Sequence, residues 1–249
     1  MNGSSVRNHQ KIILQLGLAA ILGAVALSAC QDNTPIIETQ ITIASNSAGS
    51  VALTLPENVD SDRRYLFYIH GKIIEDEGVD AVSPQFGPYE FEQILNYLSD
   101  AEFNVIGEIR STPTDANEYS DRVAAQVKSL LAQGVPSKHI TIVGFSKGAG
   151  IAILTSAKLN NPELNIVLIA ICGEETNDEP SPAISGRILS LFERSDELGS
   201  SCKPLADRSH GVIEFKEIEF STGKHHGAFY AADPIWLDPI ISWIDEVDS

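Results

Sequence analysis

The chain is predicted to be an α/β protein, a mostly parallel central sheet flanked by helices, on three observations. From Tyr65 onward, short apolar runs alternate with longer segments of helical period, the signature of parallel strands joined by crossover helices. One run, Ile166 to Cys172, is apolar at every position, as suits a strand buried on both faces in mid-sheet. A serine bracketed by glycines, Gly144-Phe145-Ser146-Lys147-Gly148, stands directly between an apolar run and a helical segment.

At the start of the chain, Arg7 and Lys11 precede an uncharged apolar run, Ile12 to Leu27, that closes on Leu27-Ser28-Ala29-Cys30. This is the layout of an export signal, and the last four residues resemble the lipobox of bacterial lipoproteins, in which the cysteine is acylated and the bond before it is cut. A plain secretory signal and an uncleaved anchor are the competing readings, since the run is nearly long enough to span a bilayer. Neither of them needs a small-residue site that ends in cysteine. The resemblance implies a signal peptide over residues 1–29, a lipidated Cys30 and a short tether over 30–35. Gln31, where a retention signal would place Asp, implies an outer-membrane address on the periplasmic side. The rest, 36–249, is long enough for one sizeable core and short for two.

Loss of Arg7 and Lys11 leaves 15 basic against 34 acidic residues, a net charge of −19. Such a surface repels nucleic acid and anionic headgroups, so membrane contact is assigned to the N-terminal lipid anchor alone. The other expected partner is a small molecule. Cys172 and Cys202 remain after lipidation, and an even pair in an oxidising compartment is a disulfide candidate, with two buried free thiols as the alternative.

Ile36 to Ile43 and Val51 to Leu55 flank the turn-rich Ala44 to Ser50 and read as an antiparallel pair on one sheet edge. The strands that follow are Tyr65 to His70, Val105 to Ile109, Ile140 to Val143, Ile166 to Cys172, Ile188 to Phe192 and Val212 to Phe220. The last mixes apolar residues with Glu214, Lys216, Glu217 and Glu219, which suits the opposite edge. Phe91, Ile94, Leu95 and Leu98 mark one helix, and Tyr119, Val123, Val127, Leu130 and Leu131 a second, which Gly134 and Pro136 stop. Ile151 to Leu159 supplies a third and Pro234 to Val247 a last one, carrying Trp236 and Trp243.

The chemistry centres on Ser146. On a cramped strand-to-helix turn the residues two before and two after the serine must be small, and Gly144 and Gly148 meet that demand. Such a turn also sets the hydroxyl at a helix N-terminus, where free N–H groups favour a developing anion. A serine nucleophile further needs an imidazole base, and the imidazole a carboxylate. Glu193-Arg194-Ser195-Asp196-Glu197 follows the fifth of these strands, and Gly223-Lys224-His225-His226-Gly227 follows the sixth.

At these residues, and at the His70-Gly71 turn, the sequence resembles the α/β-hydrolase superfamily, and within it the small uncapped bacterial esterase-like members, from about Tyr65 to the C-terminus. The resemblance implies Ser146 as nucleophile, Asp196 as acid and His226 as base, with Glu193 the alternative acid and His225 the alternative base. It implies oxyanion donors at the N–H of Lys147 and at a second N–H just after His70-Gly71, that of Lys72 or Ile73. His70 itself is read as orienting its loop. His139 and His210 have no partner at metal-ligand spacing, and neither a metal nor a cofactor is expected.

The implied activity is hydrolysis of an ester-type bond, a carboxylic ester or thioester, through an acyl-enzyme. The competing classes are a catalytically inactive envelope binding protein and an acyltransferase with the same triad. The connection from Cys172 to Ile188, about fifteen residues, is too short for a helical lid. An open site is expected, or one covered only by the loop from Lys72 to Pro88. Lys72, Arg110, Lys147 and Lys224 lie beside the site loops. Either they receive an anionic group of the substrate, with Gly71 and Ile73 as further contacts, or they are solvated and paired with Glu75, Asp76 or Glu174.

Overall fold

The computed structural model of the chain describes residues 49–173 and 182–246. The export signal, Cys30, the tether, Ile36 to Ile43 and Glu174 lie outside them. Along the chain, β1 (Ser50–Ala52) and β2 (Arg64–Ile69) are followed by α1 (Lys72–Glu77), β3 (Val82–Ser83), β4 (Gly87–Pro88), α2 (Phe91–Asp100), β5 (Phe103–Ile106) and α3 (Ala116–Ala132). Then come β6 (Ile140–Phe145), α4 (Lys147–Leu159), β7 (Asn165–Ile169), β8 (Ser185–Glu193), α5 (Lys203–Asp207), β9 (Gly211–Phe220) and α6 (Pro234–Asp245). One sheet runs β1-β5-β2-β6-β7-β8-β9, with every neighbouring pair parallel. β3 and β4 form a separate antiparallel pair.

Side chains alternate across a strand, and this sorts the apolar residues into two cores. Tyr65, Phe67 and Ile69 of β2 join Ile140 and Ile142 of β6 and Ile166 and Leu168 of β7 on one face, against α3, α4 and α5. Leu66 and Tyr68, Val143 and Phe145, and Val167 and Ile169 face the other way, against α2 and α6. Parallel neighbours need a crossover, and the helices that provide it cover both faces. The apolar stripes of α2 (Phe91, Ile94, Leu95, Leu98) and α6 (Trp236, Leu237, Ile240, Trp243, Ile244) are buried accordingly. Because the strands are parallel, the segments after β2, β6, β8 and β9 all emerge at one end of the sheet, where open α/β sheets bind their ligands.

Four parts of the chain differ from the sequence reading. β1 is a short edge strand whose partner is β5, in parallel, while the proposed antiparallel partner lies outside the described residues. β5 ends at Ile106 and not at Ile109. Gly107 lets the Leu95 side chain pack closely on the backbone, since a Cβ there would come within 2.5 Å of it, and Ile109 beyond the strand is exposed. β7 stops at Ile169, where Ala170 takes a φ of 52°, and beyond it Ile171 is half-buried and Cys172 buried. Cys172 bridges antiparallel to Ser200 and is joined by a disulfide to Cys202, with 5.1 Å between the α-carbons. The segment Lys72 to Pro88, read as a loop, contains α1 and the β3–β4 hairpin. Among the described residues no sizeable cap interrupts the fold.

Candidate active site

Ser146 links the last residue of β6 to the first of α4, at φ 53° and ψ −121°. A non-glycine residue in that region carries strain of about 1–3 kcal/mol, which persists only where the surroundings over-determine it. Both flanking glycines are required. A Cβ at Gly144 would stand 2.4 Å from the Gly148 carbonyl oxygen, and one at Gly148 only 1.9 Å from the Ile69 carbonyl oxygen. The Ser146 side chain does not cap α4, which leaves its hydroxyl available. The Ser146 carbonyl accepts the amides of Ala149 and Gly150, whereas the amides of Lys147 and Gly148, in the first turn, have no intrahelical acceptor.

The His70-Gly71 turn follows β2 and leans on the elbow: a Cβ at Gly71 would lie 3.0 Å from the Phe145 ring and 3.7 Å from the Ser146 Cβ. His70 Nε2 accepts the Arg110 amide at 3.0 Å, so its proton sits on Nδ1, which donates to the Gly71 carbonyl at 2.8 Å. Burial, reinforced by the Arg110 charge, pushes the imidazole down to about 3. His70 is therefore a neutral strut for the turn. Gly71 is the N-cap of α1, and Lys72 and Ile73 begin its first turn.

Asp196 and His226, thirty positions apart in sequence, meet across the ends of β8 and β9. His226 Nδ1 lies 2.8 Å from Asp196 Oδ2, with the two side chains only 6% and 1% exposed. The other carboxylate oxygen accepts the Leu198 amide at 3.0 Å. A carboxylate at Nδ1 fixes the proton there and leaves Nε2 as the basic nitrogen. The His226 ring packs against Phe145, the residue before Ser146, with 4.8 Å between ring centroids. Phe86 of the β3–β4 turn and Tyr230 complete its surroundings, and Gly227 has no side chain because a Cβ would meet Phe86 at 2.7 Å.

The alternative acid and base are placed elsewhere. His225 is exposed, and its Nδ1 lies 2.6 Å from the Ser195 carbonyl oxygen. Glu193 is buried and accepts hydrogen bonds from the Thr222 amide and hydroxyl, the Gly223 amide and the Ser195 hydroxyl. Burial alone would raise its carboxyl, but those donors outweigh burial and bring it down to about 2.

The four basic side chains near the site are each engaged within the protein. Lys72 pairs with Asp76, Lys224 with Asp233 at 3.7 Å and Lys147 with Glu75 at 2.7 Å. Arg110 is buried beside Glu75. It also lines a depression of about 240 Å³ with Glu108, Glu118 and Arg122, which includes none of Ser146, Asp196 and His226. Sequence reasoning passed over Phe86 and Tyr230, and it treated Glu75 only as a surface partner for lysine. An acidic residue next to Ile73 and Ile74 on a helical period is the one signal that could have marked Glu75 as inward-facing.

No protein-family model matches the chain, and no curated protein matches it in sequence. Among solved structures, one described with LipS and LipT, two metagenome-derived lipolytic enzymes, superposes with a TM-score of 0.51 at 12% identity, covering 74% of this chain and 94% of that one. SOBER1 of Arabidopsis thaliana gives 0.48 at 14% identity, covering 75% of this chain and all of that one. The esterase PE8 gives 0.49 at 16%, covering 74% and 93%. The fold of the chain is that of the α/β hydrolases.

Proposed function

We propose that the chain is a serine hydrolase that cleaves a carboxylic ester or thioester, with Ser146 as nucleophile, His226 as general base and Asp196 as its orienting acid. The observation that carries this is the Asp196–His226 pair packed on Phe145, one residue from a serine whose backbone is strained. Strain of this kind is kept where it serves a function.

In the first half-reaction Ser146 Oγ attacks the carbonyl carbon while His226 Nε2 takes the hydroxyl proton. The carbonyl electron pair moves to oxygen, and the amides of Lys147 and Lys72 receive that charge. Collapse of the tetrahedral adduct expels the alcohol or thiol, which leaves with the proton from His226. Water then attacks the acyl-enzyme, gives its proton to the same nitrogen, and the free acid departs with the Ser146 hydroxyl restored. An acyltransferase would place an alcohol where this water stands.

With no sizeable cap among the described residues and with Phe86 beside His226, the site suits short or soluble acyl groups better than a lipid droplet. The Cys172–Cys202 disulfide supports export, because disulfides persist in oxidising compartments. We therefore place the mature protein in the bacterial envelope, anchored through lipid on Cys30. Incorporation of an alkyne palmitate in the wild type and its loss in Cys30→Ser would test the anchor.

The activity is tested by labelling with a fluorophosphonate probe alongside a panel of p-nitrophenyl esters. Wild type should be labelled and turn over short-chain esters, and Ser146→Ala should do neither. A wild-type protein inert to both would reduce the fold to a binding module.

A further inference from the structure

Three charged side chains with no part in these proton transfers meet next to the elbow. They are Glu75 from α1, Arg110 from the segment after β5, and Lys147, the residue after Ser146. The Glu75 and Arg110 side chains are 1% and 0% exposed, where charge is costly unless it is fully compensated. Glu75 Oε1 accepts from Lys147 Nζ at 2.7 Å and from the Thr114 amide at 2.9 Å. Lys147 Nζ also donates to the Thr114 carbonyl at 2.9 Å. Burial works against a charge on Glu75, but the Lys147, Thr114 and Arg110 groups outweigh it and hold the carboxyl below its usual range.

Arg110 extends the cluster to the other oxyanion segment. Its Nε faces Glu75 Oε2 at 3.5 Å, and its Nη2 donates to the His70 carbonyl at 2.5 Å and approaches the Gly71 carbonyl at 3.5 Å. The carbonyl and N–H of one trans peptide unit point in opposite directions. With the Gly71 carbonyl held by His70 Nδ1 and Arg110, the Lys72 amide is turned to the opposite side. Gly71 itself lies against Ser146. The same carboxylate that anchors α1 is bonded to the side chain that follows the nucleophile.

We infer that the Arg110–Glu75–Lys147 cluster positions the oxyanion hole, locking the start of α1 to the start of α4 so that the amides of Lys72 and Lys147 keep one separation. This rests on the serine-hydrolase reading above. All three side chains act as positioning residues. The Lys147 side chain is distinct from the Lys147 amide, which any residue would supply.

The test compares Lys147→Met, Lys147→Arg, Glu75→Gln and the Lys147→Met/Glu75→Gln double variant with wild type. It reads p-nitrophenyl ester kinetics, thermal stability, and inhibition by an aryl trifluoromethyl ketone, which forms a hemiketal oxyanion with an active serine. Lys147→Met and Glu75→Gln should each lower kcat by roughly 10–100-fold, since a misplacement of about 1 Å can cost about 10²-fold and outright loss of a donor about 10²–10³-fold. KM should stay within about twofold, because the interaction is made only in the transition state. The ketone inhibition constant should weaken by the same factor as kcat falls. The double variant should be no worse than the more impaired single one, and Lys147→Arg should recover most of the loss.

Unchanged kcat in both single variants, or a fall in kcat with ketone affinity intact, overturns the inference and leaves the cluster a structural ion pair. If Glu75→Gln does not fold, the Lys147 variants carry the test, because that side chain is 25% exposed. A wild type that neither hydrolyses esters nor takes up the fluorophosphonate defeats the hydrolase reading itself, a result distinct from an active wild type with indifferent variants.

Discussion

Glu193 Oε2 accepts both the amide and the hydroxyl of Thr222, each at 2.9 Å, and so ties the end of β8 to the turn that carries His226. Through Ser195 the same carboxylate also holds the residue before Asp196. Its pKa falls from 4.5 to about 2 on folding. A depressed carboxyl stabilises the fold above its unfolded pKa, and that contribution is lost as pH falls through the folded one. Shifted by this much, Glu193 contributes on the order of 3 kcal/mol at neutral pH. Glu193→Gln should therefore be about 2–3 kcal/mol less stable than wild type at pH 7, with the gap closing between about pH 4.5 and 2. Denaturant titrations at pH 7 and pH 3 would measure it. An equal gap at both would show that shape, and not charge, is what matters.

Asp196→Asn keeps the size of the side chain but presents an amide to His226 Nδ1. The ring is then free to place its proton on Nε2, where it cannot act as base. Loss of the correct tautomer costs roughly 10³–10⁴-fold in kcat with little effect on substrate binding. Steady-state kinetics should show that split. His225→Ala, which removes an exposed ring bonded to the Ser195 carbonyl, should leave kcat within about threefold.

The strain at Ser146 gives a stability prediction independent of any substrate. With φ at 53°, glycine fits where every other residue is forced. Ser146→Ala keeps the Cβ and the strain, whereas Ser146→Gly removes both at a smaller cost in unfolded-state entropy. On the proposed mechanism both variants should lose activity, and Ser146→Gly should be the more stable by about 1 kcal/mol. Parallel melts would read the difference, and a less stable glycine variant would mean that the backbone at 146 is relaxed.

How much of this was legible in the sequence depends on how far apart the partners lie. The elbow could be read because its steric demand is local: both glycines stand within two residues of the serine and show in the sequence itself. The buried strands were legible for a similar reason, since β2, β6 and β7 carry near-continuous apolar runs in the sequence, while the division of their side chains between two cores shows only in the fold. The sequence offers Glu75 as a partner of the site cations, but as a solvated one; that its bond to Lys147 joins positions 72 apart and is buried at the carboxylate is set by the tertiary fold. β5 was read too long because Ile109 was joined to Val105 and Ile106, whereas the strand ends at Ile106 and Ile109 is exposed. The β3–β4 hairpin has strands of two residues each, too short for any period to appear. That is why Phe86, which packs on His226, went unnoticed.

The Cys172–Cys202 bridge closes a loop with a sequence separation of 30. Its ends stand at the termini of structured elements, since Cys172 lies just past β7 and Cys202 is the N-cap of α5. Cross-linking a loop of this length removes unfolded-state entropy worth about 3.5 kcal/mol. The Asp196 loop lies inside it, and Gly199 packs so closely on Ala170 that a Cβ there would come within 2.4 Å of the Ala170 carbonyl carbon. Reduction, or the double variant Cys172→Ser/Cys202→Ser, should lower stability by about 2–4 kcal/mol. It should lower activity more steeply with temperature than it lowers the folded fraction, because the acid loop loosens before the sheet unfolds. Activity and circular dichroism followed together on heating, with and without reductant, would separate the two curves. Coincident curves would mean that the bridge steadies the whole domain and has no particular hold on Asp196.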